Sequence, residues 1–328
     1  MQLNELTSIS IDVDGIGCYH SIHGLEIEGD DPIYTKALPR FLDAMDELGC
    51  RATLFVIGKD LECPPRQQLI AEAAARGHEI ASHSYAHDYG LSRAAPASID
   101  ADLCRAADLI KETSGRRPRG FRAPGYNQSE ALFDALERQK IAYDSSFFPT
   151  PAYFAARAAA LLKYRLTRRE SQSLLGDFRE FSTTRNPFMP SATKRFRPAS
   201  KTQGERVGSN TRSFVEIPMT VSTPMRLPWL GTTLALFPDA IGVAMTHAVL
   251  FRAHPVVLEL HAMEFLGAND GVSKKLIGLQ PDLQVPLDDK LRRLRRTFDL
   301  LSSKRTVVPL EEIAQAALVH DDSGVHGG

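Results

Sequence analysis

The chain has 328 residues, 43% of them apolar and 24% charged, with a formal net charge of −1. That composition suits a folded protein with a sizeable core. The near-zero charge excludes a global field that would draw nucleic acid or an anionic membrane, so any charge-driven partner must meet a local patch.

The N-terminus, MQLNELTSISIDVDG, has neither a basic n-region nor an apolar h-region, and no window holds the ~18 uninterrupted apolar residues that span a bilayer. A cytoplasmic location is expected. Ser8–Val13 is a β-branched run stopped by Asp14 and Gly15, a strand ending in a loop. Leu38, Phe41, Leu42, Met45 and Leu48 follow at helical spacing, with Pro39 in the first turn and Gly49 just past the end. Ala52–Ile57 is a continuous apolar run, the pattern of a strand covered on both faces. Leu69, Ile70, Ala73 and Ala74 predict another helix closed by Gly77, and Glu79–Ala81 starts the next strand. Ile99, Leu103, Ala106, Ala107 and Ile110 predict a helix, Gly120–Arg122 a short strand, and Ser129 caps a helix carrying Leu132, Phe133 and Leu136. Val256–Leu260 is a buried-strand run; Leu287, Leu291, Leu294, Phe298 and Leu301 form a helical stripe; Thr306–Pro309 is a last strand before a final helix. Alternating strand and helix means βαβ units and a largely parallel sheet, open or closed into a barrel.

Residues 150–213 break this rhythm. Tyr153–Arg169 is alanine-rich and helical, with Arg157, Lys163, Arg165, Arg168 and Arg169 among its apolar residues. Thr183–Ser213 carries seven Lys/Arg against one acidic residue and reads as a long basic loop, partly disordered. The cysteines (Cys18, Cys50, Cys63, Cys104) form no CxxC pair, so free thiols are expected in place of a disulfide framework or a thiolate zinc site.

Four short motifs stand at strand ends, where α/β folds place their sites. Asp12 and Asp14 are i and i+2 on a strand, so both carboxylates can enter one pocket; the bland alternative is a turn with solvated acids. His83 and His87 in SHSYAH are four apart, one helical turn, and can converge on one ion; two surface or core histidines are the alternative. With a carboxylate from the first motif, a two-His, one-carboxylate site becomes the better account. Three protein ligands leave coordination open, the mark of a catalytic metal. Arg122 in GFRAPGY can orient a carboxylate, and the Pro-Gly turn can present N–H groups to an oxyanion; a surface turn with a solvated Arg is the alternative. His261 follows the buried strand VVLEL and suits a general acid, although a lone His there is more often structural.

Taken together, SIDVD, GHEIASHSYAH, GFRAPGY and LELHA make the chain resemble the polysaccharide deacetylases, the NodB-homology or carbohydrate esterase 4 family, from about Ser8 to Leu318 apart from the insertion. The resemblance implies a distorted (β/α)7 barrel: one α/β domain over 1–328 with a basic insertion at 150–213. It implies Asp12 as general base; Asp14, His83 and His87 as ligands of a divalent metal (Zn²⁺, with Co²⁺, Ni²⁺, Mn²⁺ or Fe²⁺ as alternatives); Arg122 as the tether of the base; Gly125 as the oxyanion N–H; and His261 as general acid. Two departures stand out. Arg-Ala-Pro-Gly-Tyr displaces Tyr126 by one position, and the Asp-with-Trp motif is reduced to Tyr143-Asp144-Ser145-Ser146. Asp144 either orients Arg122 or His261 or caps a turn, and Glu216 is a further candidate acid behind the site.

The expected activity is hydrolysis of an N-acyl, chiefly N-acetyl, amino sugar or glycoconjugate. A lipid-linked substrate would fit the basic Arg157–Arg169 segment and the apolar stretch Pro224–Phe251, with peripheral contact at the inner membrane face; a solvated basic face and core helices are the plainer readings. Rivals are an allantoinase-like amide hydrolase or a lipid-linked formamido-sugar deformylase on the same fold, a non-haem Fe(II) oxygenase, which the helices disfavour, and a silent carbohydrate-binding relative. The oligomeric state stays open.

Overall fold

The computed structural model describes residues 2–26, 30–166, 175–199, 211–222, 224–251 and 254–323. Eight parallel strands carry the molecule: β1 (Leu6–Val13), β2 (Thr53–Val56), β3 (Glu79–Ser82), β4 (Gly120–Phe121), β5 (Tyr143–Asp144), β6 (Val215–Glu216), β7 (Val256–His261) and β8 (Thr306–Val307). Their order is β6-β5-β4-β3-β2-β1-β7, with β8 pairing the start of β1. The sheet curls, and the chain after β6 brings its edges together: Thr220 N donates to Val257 O at 3.3 Å, and Val257 N to Thr220 Oγ1 at 2.8 Å. This is the distorted barrel the resemblance implies.

Strand alternation sorts the side chains. Ile9, Ile11 and Val13 of β1 face outward into a core shared with Leu38, Phe41, Leu42 and Met45 of the helix Leu38–Leu48. That helix ends where the sequence expects, at Gly49 with φ 61°. Leu6, Phe55, Ala81, Tyr143, Val215 and Val257 instead pack in the barrel interior. Ser10 and Asp12 share that inner face further along β1, so the polar groups gather at the carboxyl ends of the strands. The opposite end holds one buried acid: Glu79 accepts from Thr53 Oγ1 at 2.8 Å, Tyr143 Oη at 2.8 Å and Glu311 N at 3.0 Å. Gly120 lets Tyr143 cross the interior to reach it, since a Cβ there would meet the phenol oxygen at 2.1 Å.

The insertion departs from the expected solvated basic loop. Its helix runs Pro151–Leu166, and the expected extension through Arg168 and Arg169 lies outside the described residues. Beyond it, Phe188 and Phe196 stack on Phe147, with centroids 6.2 and 5.3 Å apart. Arg195 and Arg212 are buried and paired with Glu130, Asp134, Glu137 and Asp177. Their charge is neutralised locally, because the aromatic packing removes these segments from water. Pro224–Phe251 forms two helices, Gly231–Leu236 and Asp239–Leu250, with Trp229 buried and donating to Thr246 Oγ1. The four cysteines are unbridged, and no helix among the described residues is long and apolar enough to cross a membrane.

Candidate active site

The four motifs converge at the carboxyl end of the barrel. Asp12 lies beside His261 in the β1–β7 register and beside Phe55 in the β1–β2 register. Asp14 follows β1, His83 follows β3, Arg122 follows β4 and His261 ends β7.

The His83–His87 segment is a loop, not the helical turn expected from the four-residue spacing. Ser84 and His87 take left-handed φ values of 65° and 53°. This conformation is costly for residues with a Cβ, and hydrogen bonds hold it. Tyr85 N and Ala86 N donate to the two oxygens of Asp102 at 2.8 and 3.1 Å, His87 N donates to Ser84 Oγ at 2.9 Å, and Gly58 N donates to Ser84 O at 2.9 Å. The loop turns both imidazoles onto one carboxylate oxygen: Asp14 Oδ1 stands 3.4 Å from His83 Nε2 and 3.3 Å from His87 Nε2.

That spacing suits a small cation. Tetrahedral bonds of about 2.0–2.1 Å put donors about 3.3–3.4 Å apart. Asp14 Oδ1 is also buried without a hydrogen-bond donor among the described residues. His83 Nδ1 donates to Arg122 O at 2.8 Å, which fixes the ring with Nε2 facing Asp14. Burial would raise the Asp14 carboxyl, but the two imidazoles outweigh it and hold it well below the usual carboxylate range. Burial, reinforced by His83, pushes His87 down to about 4 despite Asp14.

Beside this triad, Asp12 Oδ1 accepts from Arg122 Nη1 at 2.6 Å, both groups being buried. Arg122 is fixed on every side: Nε donates to Ser145 O at 2.8 Å, Nη2 to Ser10 Oγ at 3.1 Å and Ser145 Oγ at 3.2 Å, and its plane lies 4.0 Å over the Phe55 ring. The carboxylate is thus held by a guanidinium that cannot swing away. Burial opposes the charge on His261, yet Glu259, Glu264, Asp12 and Asp14 outweigh it, and the imidazole stays protonated well above its ordinary range.

Asp144 and Glu216, the supporting acids named from the sequence, stand side by side in the β5–β6 register. Asp144 hydrogen-bonds neither Arg122 nor His261: its Oδ1 accepts from Ser146 Oγ at 2.6 Å, a local contact of the kind its turn-capping alternative expects, and Glu216 is its register partner on β6. Ser145, the next residue, points to the opposite side of the chain and takes the role of holding Arg122. Glu216 accepts from Phe147 N at 3.0 Å, and burial with the facing Asp144 pushes it well above the usual range. Gly125, with φ 57°, permits a turn in which a Cβ would meet Tyr89 at 2.5 Å, and its carbonyl accepts from Arg157 Nη1 at 2.7 Å. Tyr126, also left-handed at φ 61°, swings inward and its hydroxyl donates to Glu259 at 3.0 Å.

Sequence reasoning missed Ser10, Asp102, Ser145 and Glu259. Ser10 and Glu259 were within reach, since each stands two residues before a residue already singled out and so shares its face. Asp102 carried no signal, being one acid on an otherwise ordinary helix.

Residues 29–143 match the family model described as polysaccharide deacetylase. This segment is similar to the polysaccharide deacetylases. The match includes His83, His87 and Arg122, while Asp12, Asp14 and His261 join them through the fold. The Helicobacter pylori peptidoglycan deacetylase is 27% identical over 157 residues, 45% of this chain and 52% of the relative. A Bradyrhizobium chitooligosaccharide deacetylase is 35% identical over 98 residues, 30% of this chain and 42% of the relative. The alignments thus span about half or less of these relatives. Two solved structures share the fold across 96% of this chain: a polysaccharide deacetylase candidate from Mycobacterium smegmatis (TM-score 0.57, 17% identity, 91% of that chain) and the Puue allantoinase (TM-score 0.56, 14% identity, 90% of that chain).

Proposed function

We propose that this chain is a metal-dependent amide hydrolase that removes the acetyl group from an N-acetylated amino sugar. The observation that carries this reading is the meeting, at one end of one barrel, of a three-donor cluster and a separately tethered carboxylate, with His261 across the β1–β7 pair. Asp14, His83 and His87 would hold the cation; bound there, a divalent ion supplies Lewis acidity, which lowers the pKa of water and polarises an acyl carbonyl. Asp12, held by Arg122, accepts the proton of the attacking water. His261 gives its proton to the departing amine as the C–N bond breaks, so acetate and a free amine result. The N–H of Gly125 is the backbone donor this reading assigns to the oxyanion, since that of Tyr126 is already engaged by Ala123 O at 2.8 Å.

The family resemblance and the space beside the triad support a sugar substrate. A cavity of about 420 Å³ opens next to His87, lined by Gly15, Asp31, Lys59, Asp60, Arg66 and Tyr89. Charged and aromatic groups on one wall suit a polyhydroxylated ring. The relatives named for peptidoglycan and chitooligosaccharide deacetylation point to the same substrate class.

The test is acetate release from N-acetylglucosamine oligomers, with formamido sugars, lipid-linked sugars and allantoin as further arms, paired with metal analysis of the wild type and of His87→Ala. One equivalent of divalent metal and acetate release are expected, with both lost in the variant. Metal-free protein that still releases acetate would overturn the reading, and so would turnover confined to allantoin.

A further inference from the structure

His261 can donate a proton to a leaving amine only if its substrate-facing nitrogen carries that proton and the ring cannot rotate. Neither condition follows from the position of His261 at the end of β7. Glu259 stands two residues earlier and leaves the strand on the same inner face. It is 1% exposed, and its Oε1 lies 3.1 Å from His261 Nδ1, an ion-pair contact outside hydrogen-bond geometry. The same oxygen accepts from Tyr126 Oη at 3.0 Å, and that hydroxyl lies 3.5 Å from His261 Nε2. Carboxylate, phenol and imidazole therefore form a closed triangle.

Glu264, the other acid near the ring, stands farther away, 3.9 Å from Nδ1; it adds to the negative charge that favours the protonated ring and also accepts from Thr232 Oγ1 at 2.7 Å. Asp144, the acid expected from the sequence, faces Ser146 and Glu216. Tyr126 reaches Glu259 only because the Gly125–Tyr126 turn is left-handed at both residues, a conformation that strains Tyr126.

We infer that Glu259, anchored by Tyr126, is the positioning residue for His261: it faces Nδ1, so the ring is held with Nε2–H as the proton donor. The inference rests on the reading of His261 as general acid. In the step it serves, the Nε2 proton moves to the amine nitrogen as the C–N bond breaks, the imidazole is left neutral with its Nδ1 proton against Glu259, and water reprotonates Nε2 before the next turnover. Glu259 itself transfers nothing.

The experiment compares holoenzyme wild type, Glu259→Gln and Tyr126→Phe on two substrates, an N-acetyl chitooligosaccharide and 4-nitrophenyl acetate. The nitrophenolate leaves without a proton; the amine does not. Glu259→Gln is expected to lose about 10²-fold in kcat on the amide with KM and metal content kept, and no more than about threefold on the ester. Tyr126→Phe is expected to lose several-fold, on the amide alone. Equal losses on both substrates would mean a merely structural role and would overturn the inference. Nitrogen NMR of the histidines gives a readout that needs no turnover. Glu259, Glu264, Asp12 and Asp14 all face His261, and its titration midpoint is expected to fall in Glu259→Gln. An unchanged midpoint overturns the inference even if the wild type proves inactive on both substrates, a result that would sink the proposed function instead.

Discussion

The two ends of the barrel interior bury polar groups in opposite ways. At the lower end, both oxygens of Glu79 are saturated by Thr53, Tyr143 and Glu311. At the upper end, Asp14 Oδ1, Glu259 Oε2 and Glu264 Oε2 are buried with no hydrogen-bond partner among the described residues. The same strands build both ends, so the difference is not one of fold. A saturated buried acid is a structural element. Buried acceptors left open, beside two imidazoles and a fixed guanidinium, are the chemistry on which the proposed function rests.

The sharpest way to break this comparison is to change one group at the upper end. Asp12→Asn keeps the metal donors and the shape, so metal content is expected to stay at the wild-type level while kcat falls about 10²–10⁴-fold. Undiminished turnover would remove Asp12 from the scheme. At the lower end the expected effect falls on stability alone. Burial raises Glu79 to about 7 against its three hydrogen bonds. A raised carboxyl contributes stability that is full below its unfolded value near 4.5 and is lost as pH climbs through about 7. Unfolding free energy of the wild type should therefore carry a falling component over that window, on the order of 3 kcal/mol in all. Glu79→Gln should abolish that component and leave kcat within about twofold; a collapse of activity would mean the two ends are not independent.

Gly120→Ala tests the same lower end through packing. Its Cβ would overlap the Tyr143 ring, which the surrounding core does not let move. Overpacking of this kind costs about 1–3 kcal/mol, readable as a lower midpoint in urea with metal content unchanged. A neutral result would show that Tyr143 is free to leave Glu79.

Much of this architecture was legible because the relevant signals are periodic. The apolar runs at β1, β2 and β7, the helix Leu38–Leu48 with its Gly49 stop, and the Ser129 cap all follow from local rules. The candidate metal donors were legible as residue types at strand ends, but their convergence was argued from a helical spacing that the chain does not use. Left-handed Ser84 and His87 depend on Asp102, seventeen residues from Tyr85, and no local rule supplies that contact. The insertion failed differently: its arginines look solvated in sequence because their partners, Glu130, Asp134 and Glu137, belong to a helix before it. Ser145 was overshadowed by Asp144, since a carboxylate is the more obvious partner for Arg122 than a serine carbonyl.

That last case yields the smallest expected effect. Arg122 receives two contacts from Ser145, one from the backbone carbonyl at 2.8 Å and one from the hydroxyl at 3.2 Å. Ser145→Ala removes only the hydroxyl, which also donates to Ile217 O at 2.9 Å. The carbonyl, Ser10 Oγ, Asp12 and the Phe55 ring all remain around the guanidinium. Losing one neutral hydrogen-bonding group costs about 0.5–1.5 kcal/mol, so kcat should fall by less than about tenfold. A loss as deep as that of Asp12→Asn would mean that the hydroxyl, and not the backbone frame of β5, fixes the tether. The upper end would then depend on side chains as fully as the lower end does, and the contrast between a rigid frame and an open set of acceptors would no longer hold.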